Sequence, residues 1–153
     1  MSLRILFLGE PDSANNLSWI DGLREAGCEV HLASARYDGH PGVLPIGAQV
    51  LPPRLRILTG VADLKRMIER IEPDVLLAYR VTSYGFLGAS TGFHPFVLGA
   101  QNEHIVFPPD LGGWRRFMLT RFARQAVRHA DLIHAWADNM AAGLRRFGAR
   151  EQQ

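Results

Sequence analysis

Apolar residues recur along this chain with two periods, and the switches between them mark its elements. Ile5-Leu-Phe-Leu-Gly9 is a short apolar run closed by glycine, followed by the turn and cap residues Pro11, Asp12 and Ser13; Leu17, Ile20, Leu23 and Gly27 then return at helical spacing. The segment CEVHLAS, 28–34, alternates and is rich in β-formers, with Gly27 as the helix stop before it. Together these predict a β-α-β unit. From 35 to 60 the glycines and prolines at 39, 41, 42, 45, 47, 52 and 53 interrupt any long element and leave room for one short strand near Ala48 to Leu51. Val61, Leu64, Ile68 and Ile71 predict a helix that stops before Pro73, and DVLLAY, 74–79, reads as a strand covered on both faces. A small-residue helix around Tyr84 to Ser90 comes next, then a strand from Pro95 to Ala100 and a long helix from Trp114 to about His129. The strand DLIHAW, 131–136, and a helix from Asp138 to Phe147, capped by Gly148, complete the pattern.

Strands alternating with helices at this spacing predict an α/β fold: a Rossmann-like three-layer domain with a mainly parallel sheet over residues 1–150. In an open sheet of that kind, ligands bind beyond the carboxyl ends of the strands, where strand order reverses. Three such ends carry chemistry, at Gly9 to Ser13, Tyr79 to Tyr84 and Ala100 to His104.

Composition narrows the function classes without choosing one. With 153 residues, 47% hydrophobic and 21% charged, the chain fits one ordinary globular domain. Its longest apolar runs fall far short of the ~20 residues of a membrane-spanning helix, and MSLRILFLG lacks a signal-peptide cleavage region, so a cytoplasmic location is expected. Cys28 is the only cysteine and allows no internal disulfide. The net charge of +2 gives no reason to expect nucleic acid as a partner, but five arginines fall between 115 and 128, so an anionic partner would be met locally.

At the first strand end, Gly9 is one glycine where a dinucleotide fingerprint has three, and no acidic residue follows the second strand to hold a ribose. Asp12 and Ser13 there read either as helix N-caps or as ligand contacts. A phosphate-accepting receiver domain is excluded, because the central strand DVLLAY ends in Tyr79-Arg80 and not in aspartate. The second end places a cation, Arg80, two phenols, Tyr79 and Tyr84, and two hydroxyls, Thr82 and Ser83, at the start of a helix. This set suits a sugar, which presents hydroxyls and an apolar face; the other reading is a capped helix on which Tyr84 packs. At the third end, Asn102, Glu103 and His104 arrive together. Histidine there suits proton transfer, since its pKa lies near neutrality.

These residues carry a resemblance. PDVLLAYRVTSYGFLGASTGFHPFVLGAQNEHI, 73–105, is similar to the stretch of family-four-type GT-B glycosyltransferases that runs PD, an apolar strand, AHYxTSYG, a small-residue helix, GFHP and VLTAWGSDI. RILFLGEPDS and GCEVHLAS resemble the opening of the same enzymes, and ARQAVRHADLIHAWADNMAAGLRRFGA resembles the ending of their first domain. Two departures stand out: the family's His-Tyr is Tyr79-Arg80 here, and its Trp-Gly-Ser-Asp is Gln101 to His104.

The resemblance implies the N-terminal, acceptor-side domain of a GT-B glycosyltransferase, whose donor-binding C-terminal domain is absent from this chain. The chemistry implied is sugar transfer from a nucleotide-diphosphate sugar to an acceptor hydroxyl of a sugar or lipid, with no cofactor. No metal is implied, in keeping with the lack of an Asp-x-Asp pair. His104 and Glu103 become the catalytic candidates, and Gly9, Asp12, Ser13, Tyr79, Arg80, Thr82, Ser83, Tyr84 and Asn102 the substrate-binding ones. This domain alone is expected not to turn over and to self-associate through its uncovered interdomain surface. The rival readings are a non-catalytic sugar- or nucleotide-binding Rossmann module and, against the missing glycines, a nucleotide-cofactor oxidoreductase.

Arg121, Arg124 and Arg128 line one face of the helix that begins at Trp114, with Phe122, Ala126 and Val127 toward another. This is either a solvated basic face or a contact with an anionic membrane surface or phosphate-bearing lipid, which would place the protein peripherally at the inner face of the membrane.

Overall fold

Parallel pairing runs through the whole sheet of the computed structural model, which describes residues 2–37, 39–100 and 112–150. Strands β1 (Arg4–Leu8), β2 (Glu29–Ser34), β3 (Val43–Pro45), β4 (Val75–Tyr79), β5 (Phe96–Ala100) and β6 (Leu132–Ala135) lie in the order β3-β2-β1-β4-β5-β6. Helices α1 (Ala14–Glu25), α2 (Pro53–Ile71), α3 (Tyr84–Ala89) and α4 (Gly113–His129) make four of the five crossovers, β2 passing to β3 with no helix among the described residues between them, and α5 (Asp138–Arg145) follows β6. The fold is therefore the Rossmann-like α/β sheet expected from the sequence pattern.

Side-chain alternation sorts the strands' residues into two cores. Ile5, Phe7, Leu77 and Tyr79 face α1, where they pack with Ile20, Val30 and Leu32. Leu6, Leu8, Leu76, Ala78, Phe96 and Leu98 face the other way, against Leu64 and Met67 of α2, Leu87 of α3 and Ala126 and Val127 of α4. Met140, Leu144 and Phe147 join that second core, so α5 packs on the same side as α4. On the α1 side, Leu132 and Trp136 remain more than half exposed.

The helix ends follow their local chemistry. Gly27 takes φ +85, and the Cys28 N–H donates to the Leu23 carbonyl, closing α1 with the six-residue bond of a Schellman turn. Gly148, at φ +102, does the same after α5, with the Ala149 N–H on Leu144. Helix α2 ends at Ile71 through a left-handed Glu72, directly before Pro73.

The glycine- and proline-rich region departs from expectation in two ways. Its short strand is Val43–Pro45, paired with Leu32 to Ser34 of β2, and not near Ala48 to Leu51; α2 begins at Pro53, eight residues before the apolar period sets in at Val61. A proline in the first turn forfeits no helical hydrogen bond, so it opens the helix there. Side chains of α2 then hold the loop before it. Arg56 donates to the carbonyls of Ala35, Gln49 and Leu51, Asp63 accepts the Gly47 N–H, and Thr59 accepts the Ala48 N–H.

At the amino end of β5, Asp131 Oδ2 accepts the Phe96 N–H at 2.6 Å and meets His94 Nδ1 at 2.7 Å. The Phe96 hydrogen bond, with His94 adding to it, holds the Asp131 carboxyl below its ordinary value. A depressed carboxylate stabilises the fold at pH values above its unfolded pKa, and the contribution is lost as pH falls through the lower folded value. Because the side chain is 46% exposed, solvent screening limits the effect to ~1 kcal/mol. Asp131→Asn is expected to lower the melting temperature by about 2–4 °C at pH 7. The gap to wild type should close as the buffer is taken below about pH 4, which scanning calorimetry across a pH series will show.

Candidate functional site

The strand order reverses between β1 and β4, since the chain moves from β1 outward to β2 and β3 and then returns to the other side of β1. Two loops meet above this point, one after β1 beginning at Gly9 and one after β4 beginning at Arg80. A single ion pair joins them. Arg80 donates to Glu10 Oε1 at 2.8 Å, and Arg36, beyond the end of β2, places its Nε 3.6 Å from the same oxygen. Glu10 is only 15% exposed, whereas both guanidinium groups reach solvent. One carboxylate between two guanidinium groups leaves this cluster of three side chains net positive, with N–H donors in the fork geometry that matches phosphate or carboxylate.

Backbone geometry explains how Arg80 arrives there. Tyr79 turns its ring into the α1 side, stacked 6.1 Å from Phe7 and tilted against Trp19 at 6.4 Å, over a backbone that only glycine leaves open. A Cβ at Gly99 would stand 2.6 Å from that ring. Arg80 then takes φ +84, a left-handed conformation rare outside glycine, and its N–H donates to the Gly99 carbonyl. The chain thus swings out of the sheet and presents the guanidinium above it. Burial raises the pKa of the Tyr79 phenol, an effect partly offset by the nearby indoles of Trp136 and Trp19, which stop short of full hydrogen-bond geometry; among the described residues the hydroxyl has no hydrogen-bond partner. Tyr79 is a core residue here, and Arg80 is the group that reaches solvent above the reversal.

Beneath the ion pair, Tyr84 is buried with its hydroxyl 3.0 Å from Ser34 Oγ, which in turn accepts the Arg36 N–H. Burial pushes the Tyr84 phenol up; Ser34 offsets this in part, and the Glu10 charge adds to it. The phenol therefore stays neutral and ties α3 to the end of β2. Thr82 and Ser83 are half-buried in the Arg80 loop, and neither caps α3 through its side chain. Ser13 is likewise the N-cap residue of α1 without a side-chain cap bond, while Asp12 pairs with His40 at 3.0 Å. Gly9 is buried against Phe7 and Asn16, where a Cβ would come within 2.7 Å of both, so its lack of a side chain serves packing.

The structure thus gathers Arg80, Thr82, Ser83 and the loop from Gly9 to Ser13 around the strand reversal, and places Tyr79 and Tyr84 underneath as supports. Asn102, Glu103 and His104 lie outside the described residues. Glu10 and Arg36 were not among the sequence-derived candidates; the signal for them was a charged residue two positions beyond each of two strand ends. Among the described residues no three His, Cys, Asp or Glu side chains converge as a metal site would require, and no helix is long and apolar enough to cross a membrane.

A family model described as Glycosyl transferase 4-like matches residues 4–135. The chain belongs to this family. As a glycosyl transferase 4-like domain it superposes on a crystal structure of UDP-N-acetylglucosamine 2-epimerase with a TM-score of 0.60 at 16% identity, covering 99% of this chain and 46% of that one. The UDP-GlcNAc 2-epimerase from Neisseria meningitidis, in a structure bound to UDP-GlcNAc, gives a TM-score of 0.65 at 13% identity, covering 98% and 44%. The glycosyl transferase 4-like domain therefore spans less than half the length of either protein, and at these identities the likeness is one of fold. No curated protein matches the sequence significantly.

The left-handed Arg80 backbone of this glycosyl transferase 4-like domain gives a direct test of the site's geometry. Arg80→Ala and Arg80→Gly both delete the Glu10 ion pair, but only glycine relieves the left-handed strain. Urea unfolding is expected to find the glycine variant about 1 kcal/mol more stable than the alanine variant. Equal midpoints would mean that the Arg80 backbone is not held in this conformation.

Proposed function

We propose that this domain is the acceptor-side half of a glycosyltransferase that moves a sugar from a nucleotide-diphosphate donor to an acceptor hydroxyl without a metal ion. The observation that carries the reading is the positively charged mouth at the β1 and β4 reversal, formed by Arg80 and Arg36 around Glu10, in a chain of the glycosyl transferase 4-like family. A fold neighbour bound to UDP-GlcNAc supports a nucleotide sugar as one ligand class. On this reading the present chain forms one wall of a cleft and a second domain the other.

Transfer requires the acceptor hydroxyl to be held near the anomeric carbon, its proton removed and the departing diphosphate stabilised. We assign positioning of the anionic or hydroxyl-bearing ligand to Arg80, Thr82, Ser83 and the loop from Gly9 to Ser13. Glu10 fixes the guanidinium of Arg80, and the Tyr84 to Ser34 bond fixes the floor. His104 is the proposed contact to the reacting hydroxyl, with Glu103 orienting it and Asn102 beside them. Ligand approach from the carboxyl edge brings it against Arg80 first, since that side chain overhangs the reversal.

Titration of nucleotide sugars into the isotopically labelled chain, followed by amide chemical shifts, is expected to perturb residues 9–13 and 80–84 at millimolar ligand and to leave the amino ends of the strands unmoved. A larger response to a nicotinamide dinucleotide, or shifts confined to the opposite edge of the sheet, overturns the reading. In the protein with both domains joined, Arg80→Ala and His104→Ala are each expected to lower kcat/KM by more than tenfold with the fold intact. Binding without any transfer by that two-domain protein would leave a non-catalytic binding module in place of an enzyme.

A further inference from the structure

Away from the strand reversal, α4 carries a stripe that the sugar-transfer reading does not use. Trp114, Phe117, Arg121, Arg124 and Arg128 follow one another at steps of three and four, and all five are exposed, while Ala123, Ala126 and Val127 on the opposite side are buried in the core. The two aromatic rings are 70% and 52% exposed, stack on each other at 5.8 Å, and are followed by Arg121 over the Phe117 ring, also at 5.8 Å. No acidic residue occurs between 113 and 130, and among the described residues no ion pair engages Arg121, Arg124 or Arg128. Alongside the stripe, α3 and α4 enclose a groove of about 650 Å³ with the stacked Phe86 and Phe122 among its lining residues and Arg121, Arg124 and Arg128 at its side.

We infer that this face of α4 is an interfacial surface that seats the domain on an anionic phospholipid bilayer. Two properties meet on one stripe. Arginines unopposed by acids are drawn to a negatively charged leaflet, each basic residue near such a surface raising partitioning about fivefold. Exposed aromatic rings on the same stripe enter the boundary between headgroups and acyl chains, and the adjoining apolar groove continues that surface. A purely solvated basic face accounts for the arginines but leaves two large rings, stacked on each other, more than half exposed to water. The geometry favours a bilayer over a nucleic acid because the rings stack on one another and so offer less free face to a base. The inference is independent of the sugar-transfer reading, since no residue of the strand reversal takes part.

The test is co-sedimentation of the full chain with vesicles of phosphatidylcholine alone and of phosphatidylcholine mixed with phosphatidylglycerol, at low and at high salt. Binding is expected only to the anionic vesicles, with loss at high salt. Arg121→Glu combined with Arg124→Glu is expected to weaken it by more than tenfold, Phe117→Ser to reduce quenching of Trp114 by brominated lipid, and Trp114→Ser combined with Phe117→Ser to weaken co-sedimentation by more than tenfold. All four positions are exposed, and circular dichroism of each variant verifies the fold. Trp136→Ser removes the exposed indole on the other face of the sheet and is expected to leave binding unchanged. No binding to anionic vesicles, equal binding to neutral ones, insensitivity to the α4 variants, loss through Trp136→Ser, or displacement from vesicles by polyuridylate RNA would each overturn the assignment.

Discussion

A parallel strand cannot be joined to its neighbour by a tight turn; the chain must travel back over the sheet each time, and a helix is the economical way to do it. In this domain that constraint decides nearly everything else. It places every strand's carboxyl end on one edge, and it makes the central strands bury both faces, which is why Leu6, Leu8, Leu76 and Leu98 are sealed on one side while Ile5, Phe7 and Tyr79 are packed on the other. The order β3-β2-β1-β4-β5-β6 reverses once, at β1, because the first two crossovers extend the sheet one way and the later ones the other, and with right-handed crossovers that reversal is what lets both faces be covered. The loops that leave β1 and β4 depart there, at the place where open sheets bind ligands, and the Arg80 to Glu10 ion pair spans the gap between them.

The chemistry at that gap is electrostatic and is held by a few directed contacts. Glu10 sits low between two guanidinium groups, so its carboxylate is oriented without being deeply buried and the outward face keeps a positive balance. Such exposed ion pairs stabilise the fold little. Their consequence is positional, in that Arg80 is held over the reversal instead of sweeping solvent. The left-handed backbone at Arg80 belongs to the same arrangement, since Tyr79 is committed to the core beneath and the chain must turn outward within one residue. Strain of this kind persists where the surroundings over-determine the conformation, as the stacked Phe7, the bare Gly99 backbone and the Glu10 pair do here. The basic stripe of α4 lies on the solvent side of a crossover helix and shares no residue with the strand reversal, so the two surfaces can act without competing for residues.

Several elements were legible from residues alone because their signals are local. The apolar run 74–79 reads as a doubly covered strand, and Gly27, Pro73 and Gly148 mark helix ends by what their backbones permit. The region from 35 to 60 was not legible, and Arg56 shows why. Its three donors bind carbonyls of residues 35, 49 and 51, so the loop is shaped by a side chain on a helix that follows it, and no periodicity within the loop records that. The same holds for the start of α2, where the apolar spacing begins only at Val61 although the helical backbone begins at Pro53.

By itself the sequence determined the alternation of strands and helices, the resulting α/β sheet, the edge on which functional loops would gather and the family to which the chain is similar, because each rests on short-range period, turn chemistry or contiguous motif. Only the tertiary structure decided which of the clustered polar residues are sealed in the core and which reach solvent. Tyr79, Arg80 and Tyr84 stand within six positions of one another, yet the first is sealed against Phe7 and Trp19, the second overhangs the site and the third is bonded to Ser34 from a strand fifty residues earlier. Glu10 and Arg36 acquire a role only when β1, β2 and β4 lie side by side. The reason is physical: an ion pair or a buried hydroxyl bond is set by distances between elements, and a linear pattern fixes which face a side chain takes, not which partner waits there.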